Sequence, residues 1–309
     1  MEASITLKKI SQTTNDKIVL AGLSFGIEKN STVAVIGDSN DSGITEFLYL
    51  LGGYRKPQNG ELFIHGMDSI KNRATIRKLI GFVPFVNDMD PGLTAEQNIT
   101  FINKFYKIDR EILDSNYNNY ADFLGLQSVS QTKVNELSPG ILRKLTLLRE
   151  LIREPKILVL EHPTAFMSSD DAELTWNLLQ ELRDKITIIY HDYSLRAVEN
   201  FHDRILFFTN GSIELDDNFQ NMINNWMGRY QFIIQFEKLL MPLFRKIAGV
   251  EGIIAPQKDG NILKFNTNDK RILLKLSKYL ESENILKIES KNIHLEDLLA
   301  ARFLQEGIV

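Results

Sequence analysis

The helix-spaced stretch ILRKLTLLRELIREP stops at Pro155, and almost at once the chain enters an unbroken apolar run over residues 157–160. Proline lacks the N–H that a helix interior needs, so it marks the helix end. A strand with no polar residue on either face must be covered on both, as a central parallel strand is. Residues 33–36 and 186–190 are further short, β-branched apolar runs of this kind, each with helical spacing downstream. The expected class is α/β.

A chain of 309 residues is long for one domain, and a main domain with a smaller one is expected. With 43% hydrophobic and 25% charged residues it has the balance of a folded globular protein. Lys and Arg total 36 against 40 for Asp and Glu, a formal charge of -4, which offers no bulk attraction for nucleic acid. Cysteine is absent, which excludes disulfides, thiolate metal sites and cysteine nucleophiles. The start, MEASITLKKI, lacks the pattern of a signal peptide. Apolar runs such as 205–208 and 232–236 fall far short of the roughly 20 residues of a spanning helix. A cytoplasmic protein is expected, with any membrane link made through a partner.

Residues 33–36 end at Gly37, a polar stretch leads to Thr45, and EFLYLLGG then resumes helical spacing: a strand, a loop and a helix. Asn59-Gly60 beside ELFIHG predicts a hairpin turn in a small β subdomain, and a further strand ends at Pro84. Over 94–131, Asn98, Phe101, Phe105, Leu113, Tyr117, Tyr120 and Leu124 space as short helices of an inserted bundle. NELSPG caps the helix that Pro155 closes, and a helix over 171–184 follows the buried strand. Next come the strand at 186–190 with His191 behind it, the helix SLRAVENFHD, and a closing hairpin in RILFFTNGSIEL.

The first domain is therefore expected over 1–218, with residues 222–227 in the link to a second domain over 229–309. There, strands at 232–236, 252–256, 261–266 and 286–290 alternate with helices at 239–248 and 270–283. That β-α-β-β-α-β order, with a tail helix at 295–304, predicts a small ferredoxin-like α+β domain.

Four stretches carry a family resemblance. LSPGILRKLTLLRELIREPKILVLEHPTAFMSS matches without a gap the signature helix, the Walker B strand and the following loop of the ATP-binding cassette of ABC transporters. IGFVPFVNDMDPGLTAEQNITF resembles the Q-loop region of that cassette. IIYHDYSLRAVENFHDRILFFTNGSI resembles its switch-histidine strand, helix and terminal hairpin. The resemblance covers about residues 5–215 and implies a P-loop NTPase fold, a mixed sheet with a helical insertion. IHLEDLLAARF, near the end, resembles the accessory C-terminal domain on nucleotide-binding subunits of bacterial drug, polysaccharide and peptide exporters.

The same alignment shows what the site lacks. A P-loop needs glycines to let backbone N–H groups wrap phosphates, a Lys to neutralise them, and a hydroxyl for magnesium. Here the loop reads Gly37-Asp38-Ser39-Asn40-Asp41-Ser42-Gly43-Ile44-Thr45. Asn40 and Ser42 replace glycines, Gly43 stands where Lys belongs and Ile44 where the hydroxyl belongs. A shifted register instead makes Gly43 the last glycine and Thr45 the hydroxyl, and neither register supplies a Lys. Asp38 and Asp41 repel polyphosphate by roughly 1 to 4 kcal/mol each at close range.

By resemblance, Glu161 and His162 occupy the Walker B positions of the magnesium-shell Asp and the water-polarising Glu. His191 stands at the switch histidine, and Phe85 replaces the polar Q-loop residue. Ser138 and Gly140 keep two signature positions, while Pro139 and Ile141 depart from them. Ser168 replaces an Asp, and neither Thr13 nor Thr14 can stack on adenine. The candidate catalytic residues are thus Glu161, His162 and His191. The candidate nucleotide-binding residues are Gly37, Ser39, Asn40, Ser42, Gly43, Thr45, Ser138 and Gly140, with no dedicated metal site. ATP and magnesium are expected only weakly or at a site shared with a partner.

The resemblance implies a degenerate nucleotide-binding subunit of an exporter. It would sit at the inner face of the membrane, with membrane-spanning subunits and a second cassette subunit, identical or not, as partners. An active ATPase with divergent motifs and a cassette-fold scaffold or regulator outside transport remain open.

Overall fold

The computed structural model describes residues 3–37, 43–192, 194–226, 228–297 and 299. Contacts divide the chain into two units, Met1–Asp216 and Asp217–Val309.

The first unit opens with two long strands, β1 (Ala3–Thr14) and β2 (Lys17–Glu28), followed by β3 (Thr32–Gly37) and α1 (Ile44–Leu51). β4 (Asn59–Ile64), β5 (Met67–Asp68), α2 (Arg73–Leu79) and β6 (Ile80–Val83) come next. The helical insertion is α3 (Ala95–Tyr106) and α4 (Arg110–Phe123), and it leads to α5 (Pro139–Leu151). The unit ends with β7 (Ile157–Glu161), α6 (Ser169–Leu182), β8 (Thr187–His191), α7 (Leu195–Asn200), β9 (Arg204–Thr209) and β10 (Ser212–Asp217).

Among the described residues, the central sheet has the order β10-β9-β3-β8-β7-β6. The pairs β9/β3, β3/β8, β8/β7 and β7/β6 are parallel. All five residues of β7 are buried, the apolar run 157–160 and the Glu161 that ends it, as a strand covered on both faces requires. A second sheet, β2-β1-β4-β5, is antiparallel where its ladders run β1/β2, β1/β4 and β4/β5. Between the sheets, Phe47 of α1 is fully buried, its ring 5.1 Å from Phe208 and 6.0 Å from Phe25. The start of α1 is thereby held over the end of β7, where the candidate site lies.

Several sequence expectations need correction. Asn59-Gly60 is no hairpin turn: both residues begin β4, and position 60 requires glycine because its φ is 87° and a Cβ there would lie 2.4 Å from the Lys9 carbonyl oxygen. The hairpin turn is His65-Gly66, at φ 47° and 74°, the two positive values that a type I′ connection demands. Helix α2 and the β1–β2 pair were not anticipated. The β1–β2 ladder contains several register shifts, which erase the two-residue alternation that would announce it.

The second unit comprises α8 (Phe219–Trp226), β11 (Tyr230–Phe236), α9 (Met241–Ala248), β12 (Ile254–Asp259), β13 (Ile262–Thr267), α10 (Ile272–Leu280) and β14 (Ile285–Asn292). The expected link at 222–227 is thus largely helix. The sheet order is β12-β13-β11-β14 with all three ladders antiparallel, the ferredoxin-like arrangement. Its core joins Phe232, Ile234, Phe236 and Phe265 of the sheet to Ile247 and Leu276 of the helices. Of the expected tail helix, residues 295–297 and 299 are helical, and 298 and 300–304 lie outside the described residues. Among the described residues no helix is long and apolar enough to cross a membrane.

Candidate functional site

β3 ends at Gly37 and α1 begins behind Gly43, whose φ of 89° only glycine tolerates easily. A Cβ on Gly43 would fall 2.0 Å from the Val19 carbonyl oxygen, so backbone contact as well as φ excludes a lysine there. Ser39, Asn40 and Ser42 lie outside the described residues. The Thr45 hydroxyl, on the first turn of α1, donates to Glu161 Oε1 at 2.8 Å. Of the two registers the sequence leaves open, the shifted one therefore brings its hydroxyl to the end of the Walker B-like strand. In it Ile44, only 5% exposed, fills the lysine place with a buried hydrocarbon.

Glu161 is 4% exposed and its second oxygen accepts the backbone N–H of Phe85 at 2.8 Å. The carboxylate is thus fastened to α1 on one side and to the segment after β6 on the other. Beside it, His162 sits at φ 51° and is 4% exposed. Its backbone N–H donates to the His191 carbonyl at 2.7 Å, and the two imidazoles lie 4.5 Å apart between centroids. His191 Nδ1 is 2.8 Å from the Val35 carbonyl oxygen. Burial, with the neighbouring His191 and Arg143, pushes the His162 imidazole down to about 3, so at neutral pH it is uncharged. His191 is also lowered, chiefly by burial.

Phe85 packs its ring edge-on to His162 at 5.2 Å and tilted against Phe166 at 5.7 Å. Beneath them Arg143 of α5, 4% exposed, donates from Nε to the His162 carbonyl at 2.9 Å. From Nη1 it donates to the carbonyls of Pro84 and Phe85. Sequence reasoning missed Arg143. The helix mixes charged and apolar residues, and only the fold shows that α5 is buried over most of its length, where a charge must be partnered.

Ser138 caps α5, its hydroxyl accepting the Ile141 N–H at 3.4 Å, and Pro139 opens the helix, where its missing N–H costs no intrahelical bond. Gly140 is buried against the loop after β7, and a Cβ there would lie 2.6 Å from the Phe166 carbonyl oxygen. Gly140→Ala is expected to cost about 1–3 kcal/mol by forcing that loop off α5, measurable as a lowered urea midpoint with unchanged m-value. Ser168 caps α6 by accepting the Asp171 N–H at 3.2 Å. Thr13 and Thr14 end β1 in exposed positions.

For Mg-ATP these residues make a poor fit. The hydroxyl–carboxylate pair Thr45–Glu161 suits a magnesium shell. Neither register supplies the ammonium group for the phosphates, the loop sequence adds Asp38 and Asp41, and the water-polarising place holds a neutral, buried imidazole.

A second feature lies on the same unit, a groove of about 470 Å³ whose walls include Tyr54, Phe82, Phe101 and Tyr106, with Arg77 and Lys78 also lining it. Part of its lining is a buried ion network in which Arg149 meets Asp88 at 2.6 Å and Glu150 at 2.9 Å, while Arg153 meets Glu150 and lies 4.0 Å over the Tyr106 ring.

Residues 20–165 match the model of the ABC transporter family. The first unit has the fold of an ABC transporter ATP-binding cassette. This cassette is 29% identical over 212 residues to the Nod factor export ATP-binding protein I of Burkholderia lata, covering 68% of this chain and 69% of that protein. Its counterpart in Rhizobium etli is 26% identical over 227 residues, with 73% and 71% covered. In fold, the cassette is similar to the ATP-binding subunit of an ABC transporter at TM-score 0.68 and 17% identity, covering 72% of this chain and 92% of that one. It is also similar to the cassette MJ0796 in a dimer bound to ADP and Pi, at TM-score 0.63 and 22% identity, covering 69% and 98%.

Proposed function

We propose that this chain is the cassette subunit of an ABC exporter whose own site hydrolyses little or no ATP, and which serves its complex by coupling to membrane-spanning subunits. The observation that carries the reading is His162. A buried imidazole held neutral down to about pH 3 cannot take the place of a carboxylate that polarises water. The missing phosphate-neutralising lysine, with the buried Ile44 in its place, points the same way. The export assignment rests on the Nod factor export relatives.

The groove beside β6 and α3 supports the membrane partner. Its aromatic walls and cationic rim suit a short amphipathic segment of a membrane subunit at the inner face of the bilayer. A second cassette subunit, identical or different, completes the assembly and holds any nucleotide at a shared site.

Titration of the isolated chain with Mg-ATP is expected to give a dissociation constant no tighter than about 1 mM. Micromolar, magnesium-dependent binding with turnover would overturn the impaired site and favour a divergent active ATPase, for which the Thr45–Glu161 bond is the supporting observation. Pull-down from membrane fractions is expected to bring an integral membrane protein. Recovery of soluble proteins alone would favour a scaffold outside transport.

A further inference from the structure

We infer that the second unit pairs with a second copy of this chain through the outer edge of β14, in an antiparallel, two-fold register centred on Ile288. Among the described residues β14 ends the sheet: its one ladder is to β11, leaving the other row of backbone donors and acceptors open. Such an edge is a template for another strand.

The side chains of this edge are complementary to themselves. Ile288 stands opposite Ile234 in the ladder and so belongs to the core-facing side of the sheet, yet it is 43% exposed; Leu286, the extra residue where the ladder shifts register, is 62% exposed. With Ile288 opposite its own copy, the two isoleucines meet at the axis and cover one another.

On the other face, Lys287 falls opposite the copy's Glu289, and Glu289 opposite the copy's Lys287. Within one chain these two already form an ion pair, so the arrangement becomes an alternating four-charge cluster. Edge lysines ordinarily discourage pairing. Here they select the register. A slip of two residues between the strands that centres the axis on position 287 sets lysine against lysine, and one the other way, centred on 289, sets glutamate against glutamate. The partner that fits this edge is therefore this edge.

Analytical ultracentrifugation of the full chain without nucleotide tests it. A concentration-dependent dimer is expected. Lys287→Glu and Glu289→Lys should each weaken it at least about tenfold, and the K287E/E289K double reversal should restore it. Both positions are exposed, and unchanged melting curves for the single variants confirm that folding is intact. A chain that stays monomeric, or a dimer indifferent to the single reversals, would overturn the assignment. Neither result depends on whether the first unit binds ATP.

Discussion

Replacing Arg143 by alanine is expected to lower the unfolding free energy of the cassette unit by about 3–5 kcal/mol, the range for removing one partner from a buried, charge-coupled cluster. The guanidinium is 4% exposed and holds three backbone carbonyls, those of Pro84, Phe85 and His162. Burial lowers its pKa to about 10, opposed by Glu161 and Asp192, so it stays charged at neutral pH. Without it the Pro84 and Phe85 carbonyls lose this donor, at about 1–3 kcal/mol each unless water enters, the His162 carbonyl keeps only the Ala165 N–H, and Glu161 loses its nearby positive charge. Arg143→Lys keeps the charge but not the planar fork, so its cost should fall between wild type and alanine. Urea unfolding followed by fluorescence of Trp176, which packs on Tyr190 and Phe201, reads the unit directly in a Trp226→Phe background. A loss below about 1 kcal/mol for the alanine variant would show that the cluster is not held by this residue.

Acid should weaken the cassette well before its carboxylates protonate. A histidine whose folded pKa is about 3, against 6.5 when unfolded, binds fewer protons in the native state across that interval. Its contribution is fully present above pH 6.5 and is lost as pH falls, at about 1.4 kcal/mol per unit. That is about 2 kcal/mol by pH 5 and about 5 by pH 3. His191 and His202, both lowered chiefly by burial, add in the same direction. The partly exposed Asp171, lowered by its bond to Lys144, loses its contribution only below its ordinary value of 3.8, outside the upper part of this window. Unfolding free energies at pH 7.5, 6 and 5 should therefore fall steeply, and His162→Phe should flatten the slope by about one proton's worth. An unchanged slope in that variant would mean that His162 titrates normally.

How much of this was legible depended on whether a signal was local. The buried parallel strands were plain because 157–160, 33–36 and 186–190 are unbroken apolar runs beside helical spacing. The β-α-β-β-α-β order of the second unit was legible because its short elements are punctuated by turn residues such as Asp259-Gly260. The β1–β2 pair was not, since its bulges break the alternation, and Asn59-Gly60 misled because a positive-φ glycine also serves where a strand passes close to another backbone. At the site, Glu161 and His162 were placed by resemblance alone. Nothing near Arg143 in sequence names Pro84 as its partner, 59 residues away.

The order of residues by itself settled the layers of this protein, its likeness to a cassette and the absence of a lysine from residues 37–45, because periodicity and residue identity are carried within a few neighbours. Only the tertiary structure decided that Thr45 rather than Ile44 meets Glu161, that position 43 has no room for a side chain, and that His162 is neutral. Those outcomes depend on distances between segments far apart in the chain, and on how completely the fold removes water from the groups it brings together.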